Sequence, residues 1–210
     1  MAMDPNLSTL LKWSVENSSA TAEDPTARAP PTGTQLNPDI LNSLFGGPSD
    51  ADLMKMSMSA ILSEDPEVSL DDKLVAFDNF EQLIENLDNA NNLEPLALWT
   101  PLLGCLAHDA ADIRKMAAWC VGTAVQNNEK SQERLLAMGG IPGLASMATK
   151  EDEDKGVRRK ACYALSSAVR NYQPGMDELL KALGREETKI DASDMDACDG
   201  LLGELRDAAK

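Results

Sequence analysis

One histidine, His108, and eight aromatic residues are all the ring chemistry that this 210-residue chain carries. β-Branched apolar residues are scarce too, with 6 Ile and 7 Val against 28 Leu, 27 Ala and 10 Met. A β-sandwich or a parallel sheet needs more of them. Straight-chain residues lose little rotamer freedom in a helix, so the balance predicts an all-α fold. Basic charge is in short supply: 19 Lys and Arg face 35 Asp and Glu, a net charge of −16. That charge repels nucleic acid phosphate and the anionic cytoplasmic leaflet, so neither nucleic acid nor membrane is an expected partner. No run of about 18 apolar residues is long enough to cross a bilayer. The N-terminus lacks the basic and apolar regions of a secretory signal, so a soluble protein in the cytoplasm, or also the nucleus, is expected. Cys105, Cys120, Cys162 and Cys198 are widely spaced, form no CxxC pair and sit among apolar neighbours. Small, reduced, buried thiols are the expectation.

These shortages also weigh against an enzyme. A Ser-His-Asp triad would have to be built around His108, which has no nucleophile signature beside it. Four Cys and one His show no metal-ligand spacing, so no metal or other cofactor is expected. Asp191, Asp194, Asp196 and Asp199 before Gly200 superficially suggest a calcium loop. The pattern fails because Cys198 stands at the fifth position from Asp194, the glycine is one residue late and no Glu closes the loop. Ser193 as an N-cap with Asp194 and Asp196 in the first turn accounts for the run. Gly139-Gly140-Ile141-Pro142-Gly143 lacks the Gly-Lys-Ser/Thr ending of a phosphate loop and reads as a tight turn between helices.

Three segments follow from composition. Residues 1–18 hold Leu7, Leu10, Leu11 and Val15 at helical spacing with Trp13 beside them, an amphipathic N-terminal segment. Residues 19–39 contain Pro25, Pro30, Pro31 and Pro38, and Leu36 is their only large apolar residue. Such a stretch cannot bury enough surface to offset its ordering entropy and reads as a disordered linker. Residues 40–210 read as the helical domain, opening with Ile40, Leu41, Leu44 and Phe45 before Gly46-Gly47-Pro48. Helices are expected over roughly 50–63, 70–87, 95–107, 111–127, 129–138, 141–149, 155–171, 173–183 and 193–208.

The chain repeats itself. Ile113-Arg114-Lys115-Met116-Ala117-Ala118-Trp119 runs on to Thr123-Ala124-Val125-Gln126-Asn127, and 44 residues later Val157-Arg158-Arg159-Lys160-Ala161-Cys162-Tyr163 runs on to Ser167-Ala168-Val169-Arg170-Asn171. At an offset of 41 in the other direction, Ala117, Val121, Val125 and Asn127 fall on Ala76, Phe80, Ile84 and Asn86. The additional residues of the later copy fit the acidic loop 150–154. A helical unit of this length is in the armadillo range, so the expected architecture is a short solenoid of three-helix repeats with a flexible N-terminal segment. Leu201, Leu202 and Leu205 are expected to cap its end.

A polar end recurs on the third helix of each repeat. Asn86, Asn127 and Asn171 are equivalent, and Asn can end a helix in the left-handed conformation, which is compatible with binding. Around them lie Asn89, Ala90, Asn91, Asn92, Gln126, Asn128 and Arg170. One cap needs fewer donors and acceptors than Asp88-Asn89-Ala90-Asn91-Asn92 supplies. Trp119 and Tyr163, also equivalent, read as core packing.

The stretch Lys73-Leu74-Val75-Ala76-Phe77-Asp78-Asn79-Phe80-Glu81, then Ile84 through Leu93, then Gly122-Thr123-Ala124-Val125-Gln126-Asn127-Asn128, resembles the Fes/HspBP family. Leu10-Leu11-Lys12-Trp13-Ser14 and Leu44-Phe45-Gly46-Gly47 resemble its fungal branch. The resemblance implies an armadillo-type nucleotide exchange factor, a co-chaperone that binds the nucleotide-binding domain of a cytosolic heat shock protein 70 and accelerates ADP release. It implies no catalysis by the chain itself. The third-helix ends (Asn86, Asn89, Ala90, Asn91, Asn92, Gln126, Asn127, Asn128, Arg170 and Asn171) would then contact the chaperone. In this family the N-terminal segment is thought to compete for the chaperone's client-binding site, a task suited to Leu10, Leu11 and Trp13. A monomer is the expected state. Ala90→Arg is expected to block exchange with the fold intact, on the view that Ala90 lies in a tight polar loop. The competing reading is an armadillo adaptor for an extended peptide. Nuclear import receptors pair Trp with Asn one helical turn later, whereas here Thr123 follows Trp119 and Ser167 follows Tyr163.

Overall fold

The computed structural model describes residues 46–209. The N-terminal amphipathic segment with Leu10, Leu11 and Trp13, the Pro-rich stretch 19–39 and the 40–45 cluster lie outside the described residues. A compact unit runs from Asp50 to Lys210. Its helices are α1 (Asp50–Ile61), α2 (Leu70–Ile84), α3 (Leu87–Asn92), α4 (Trp99–Gly104, continued by a 3-10 turn Cys105–Ala107), α5 (Ala111–Val125), α6 (Glu129–Ala137), α7 (Gly140–Thr149), α8 (Lys155–Val169), α9 (Gln173–Ala182) and α10 (Met195–Ala208). The described residues contain no strand, in keeping with the all-α expectation. None of these helices is long and apolar enough to cross a membrane.

Local signals explain most of the boundaries. Ser69 opens α2 with a capping box: its side chain accepts from the Asp72 amide, and the Asp72 carboxylate accepts from the Ser69 amide at 3.0 Å. Asp154 opens α8 by accepting from the amides of Gly156 and Val157. Both α5 and α8 stop in the same three-residue junction. Gln126 and Arg170 are extended, Asn127 and Asn171 are left-handed at φ 51° and 56°, and Asn128 and Tyr172 take φ −132° and −134°. The sequence repeat is thus reproduced in the backbone dihedrals, and Asn occupies the position that tolerates a left-handed turn.

The first junction differs. Glu85 is still helical and Asn86 is an extended N-cap, whose side-chain oxygen accepts from the amides of Asp88 and Asn89 at 2.9 and 3.3 Å. The Asp88–Asn92 run is therefore a helix rather than a loop. Asn89 anchors it, donating to the Asp50 carboxylate at 2.8 Å and to the Leu83 carbonyl at 3.0 Å. A second correction concerns α10. Asp194, not Ser193, is its N-cap, accepting from the amides of Asp196 and Ala197, while Ser193 is turned toward Asp191.

α5 packs between α2 and α8, and α1 covers the other side of α2. α7 lies behind α8, and α10 packs on both. Phe77, Phe80, Ile113, Val121, Leu144 and Leu165 are fully buried in one continuous core. Leu201, Leu202 and Leu205 of α10 extend it, as expected of a cap. All four cysteines are buried free thiols. Burial pushes the thiol of each upward, Cys120 most strongly, which leaves them un-ionised and unreactive.

The acidic loop before α8 is clamped from α5. Arg114 donates bidentately to Glu153, Nε at 3.0 Å and an Nη at 2.5 Å, and its other Nη donates to the carbonyls of His108 and Asp109 at 2.7 Å each. The Glu153 side chain is only 5% exposed, and its hydrogen bonds from Arg114 hold the carboxyl below the ordinary glutamate value of 4.5. A carboxylate whose folded pKa is depressed contributes stability above its unfolded pKa and loses it as the pH falls through the folded one. Glu153→Gln is therefore expected to destabilise the protein by about 1–3 kcal/mol near neutral pH, the range for hydrogen bonds to charged groups. The gap between variant and wild type should shrink as the pH falls below 4.5. Urea unfolding at a series of pH values checks it, and a pH-independent gap would contradict the assignment.

Candidate functional site

α2, α5 and α8 lie side by side, so residues one repeat apart form rows across the three helices. One face of this layer holds a shallow groove of about 330 Å³, lined by Glu81, Glu85, Thr123, Gln126, Asn127 and Tyr163. α2 and its C-cap contribute Glu81 and Glu85, one turn apart; α5 and its C-terminal end contribute Thr123, Gln126 and Asn127, and α8 contributes Tyr163. The lining is stitched across the helices. The Thr123 hydroxyl donates to the Glu81 carboxylate at 2.7 Å, and the Tyr163 hydroxyl donates to the Gln126 side-chain oxygen at 3.1 Å.

Gly122 permits this arrangement. A Cβ there would lie 2.5 Å from the Tyr163 ring and 3.0 Å from the Ala164 backbone, so its absence lets the tyrosine lie against α5. On the same face the Lys160 ammonium sits over the Trp119 ring at 3.7 Å from its centroid, and 5.6 Å from that of Tyr163. Both aromatic rings are half-buried. Trp119 reaches the core with one side, but neither ring is a fully enclosed packing residue as the sequence suggests. Glu81, 5% exposed, is tolerated because Thr123 satisfies it from across the helix boundary.

The expected contact residues divide into three groups. Gln126 and Asn127 line the groove itself. Asn86, Asn92 and Asn171 are exposed at helix ends, and Asn91 is half-buried. Asn89, Ala90 and Asn128 are buried and serve the fold. Asn128 is the N-cap of α6 and donates to the Ala124 carbonyl and the Ser131 hydroxyl. Ala90 is 2% exposed within the core cluster and lies on α3, which overturns the view of it as part of a tight polar loop. Arg170 is half-buried and committed within the chain. It donates to Ser166 at 3.0 Å and to Asp199 of α10 at 2.5 Å.

Glu81, Glu85 and Thr123 line the groove without having been singled out in the sequence, Tyr163 lines it where core packing was expected, and Lys160 stands beside Tyr163. The repeat carried a signal for two of them, since Thr123 and Ser167 are equivalent and Tyr163 matches Trp119. Among the described residues no cluster of His, Cys, Asp and Glu could hold a metal ion.

A family model described as nucleotide exchange factor Fes1 matches residues 7–93. A Gibberella zeae protein named Hsp70 nucleotide exchange factor FES1 is 65% identical over 209 residues, covering 97% of each chain. A Neurospora crassa protein, Hsp70 nucleotide exchange factor fes-1, is 51% identical and covers 99% of each. The Saccharomyces cerevisiae protein of the same name is 46% identical over 83% of this chain but 59% of its own length. With near full-length matches at this identity, joined to an all-helical repeat fold, the chain belongs to the Fes1 family of nucleotide exchange factors.

Proposed function

We propose that this chain is a cytoplasmic co-chaperone that grips the nucleotide-binding domain of a cytosolic Hsp70 through the groove on α2, α5 and α8. The bound chain favours the open form of that domain, and so speeds loss of ADP. The observation that carries this reading is a rigid polar groove spanning three helices, in a chain that shares its family with proteins named Hsp70 nucleotide exchange factors. Exchange needs no catalytic group on the factor, only unequal affinity for two states of the partner. Each 1.4 kcal/mol of preference for the open state shifts the open population about tenfold. Hydrogen-bonded, cross-helix lining suits a folded surface, because its side chains are fixed before the partner arrives. The N-terminal residues Leu10, Leu11 and Trp13 act separately, as a short apolar segment offered to the chaperone's client-binding site. The chain works as a monomer, since the groove lies within one chain.

The alternative, an adaptor for extended peptides, lacks the Trp and Asn ladder such grooves use. Size-exclusion chromatography with an isolated Hsp70 nucleotide-binding domain separates the two. Co-elution as a one-to-one complex supports the proposal. Binding to immobilised peptides, with no co-elution of the folded domain, would favour the adaptor.

A further inference from the structure

We propose that Lys160, beside the groove's Tyr163, is a specificity residue and takes a carboxylate of the partner, an inference that rests on the exchange-factor reading and assigns one contact within it. The ammonium stands over Trp119 and beside Tyr163, yet among the described residues none of its three N–H donors meets a hydrogen-bond acceptor. Lys115, the cation whose charge acts on Lys160, is itself paired with Asp112 at 2.6 Å. Glu81 attracts the ammonium without pairing with it, and its carboxylate accepts from Thr123. Partial burial also draws the Lys160 pKa downward, the mark of a charge short of solvation. Two aromatic rings hold the long side chain in place, so little rotamer entropy remains to be lost on binding. An acceptor brought into the groove would complete the ammonium's hydrogen bonds, and an ionised one gains most.

The repeat sharpens the assignment. Lys160 is equivalent to Met116, which is 9% exposed, so one repeat carries a buried apolar side chain where the next carries a cation held by two rings.

The test compares wild type, Lys160→Met and Lys160→Arg in binding to the isolated nucleotide-binding domain across a salt series, with thermal unfolding in parallel. Lys160→Met should weaken binding about tenfold or more at low salt and flatten the dependence of log Kd on log salt, with unfolding little changed. Lys160→Arg keeps charge and ring stacking and should restore most of the affinity. Wild-type affinity in Lys160→Met overturns the inference. So does an equal loss in both variants with an unaltered salt slope, since that is the behaviour of lost packing. Failure of the wild type itself to bind overturns the exchange-factor reading and this inference with it.

Discussion

Replacing Ala90 with arginine is expected to destabilise the helical unit by about 3 kcal/mol or more, and to lower its melting temperature by roughly ten degrees. Ala90 sits on α3, a helix that packs against α1, α2, α5 and α6, and its amide donates to the Asn86 carbonyl at 2.9 Å. A guanidinium on a longer stem has no space there and no counter-charge, so either core side chains are displaced or the charge is buried unpaired. The loss should fall on the α1–α3 end, where Asn89 ties α3 to Asp50. Any loss of exchange in this variant reports on the fold. Thermal unfolding followed by circular dichroism decides it, and an unchanged melting temperature would contradict the placement of Ala90 in the core.

Thr123→Arg is expected to do what Ala90→Arg cannot: block the groove and leave the fold standing. Thr123 is half-buried at the centre of the lining, beside Glu81 and Glu85, so an arginine finds open space and two carboxylates. The melting temperature should stay within a few degrees of wild type. Acceleration of ADP release at a fixed concentration should fall at least tenfold, because the filled groove can no longer meet a partner's surface. A folded variant with wild-type acceleration would remove the groove from the account.

Much of the fold was legible because the signals were local. The Asn127 and Asn171 helix ends followed from the repeat, and α2 and α8 begin at the expected 70 and 155, where Ser69 and Asp154 cap them within three residues. The miss at α3 has a local cause as well. Asp and Asn are poor helix formers, so residues 88–92 look like a loop. The Asn86 cap and the long-range bond from Asn89 to Asp50 override that preference.

The groove was harder to read because its determinants are far apart in sequence. Tyr163 can lie against α5 only because Gly122, 41 residues away, has no Cβ. Lys160 reaches Trp119 across the same span, and Thr123 reaches Glu81 across 42 residues. Composition and periodicity register none of these pairings. Gln126 and Asn127 were found, because a helix end and a groove rim coincide there.

Release of a fluorescent ADP analogue from a cytosolic Hsp70, followed by stopped flow with excess ATP, tests the central claim most directly. The release rate is expected to rise with the concentration of this chain and then saturate, with Thr123→Arg giving little acceleration. Release that stays at the basal rate while the chain is demonstrably bound to the chaperone would contradict it.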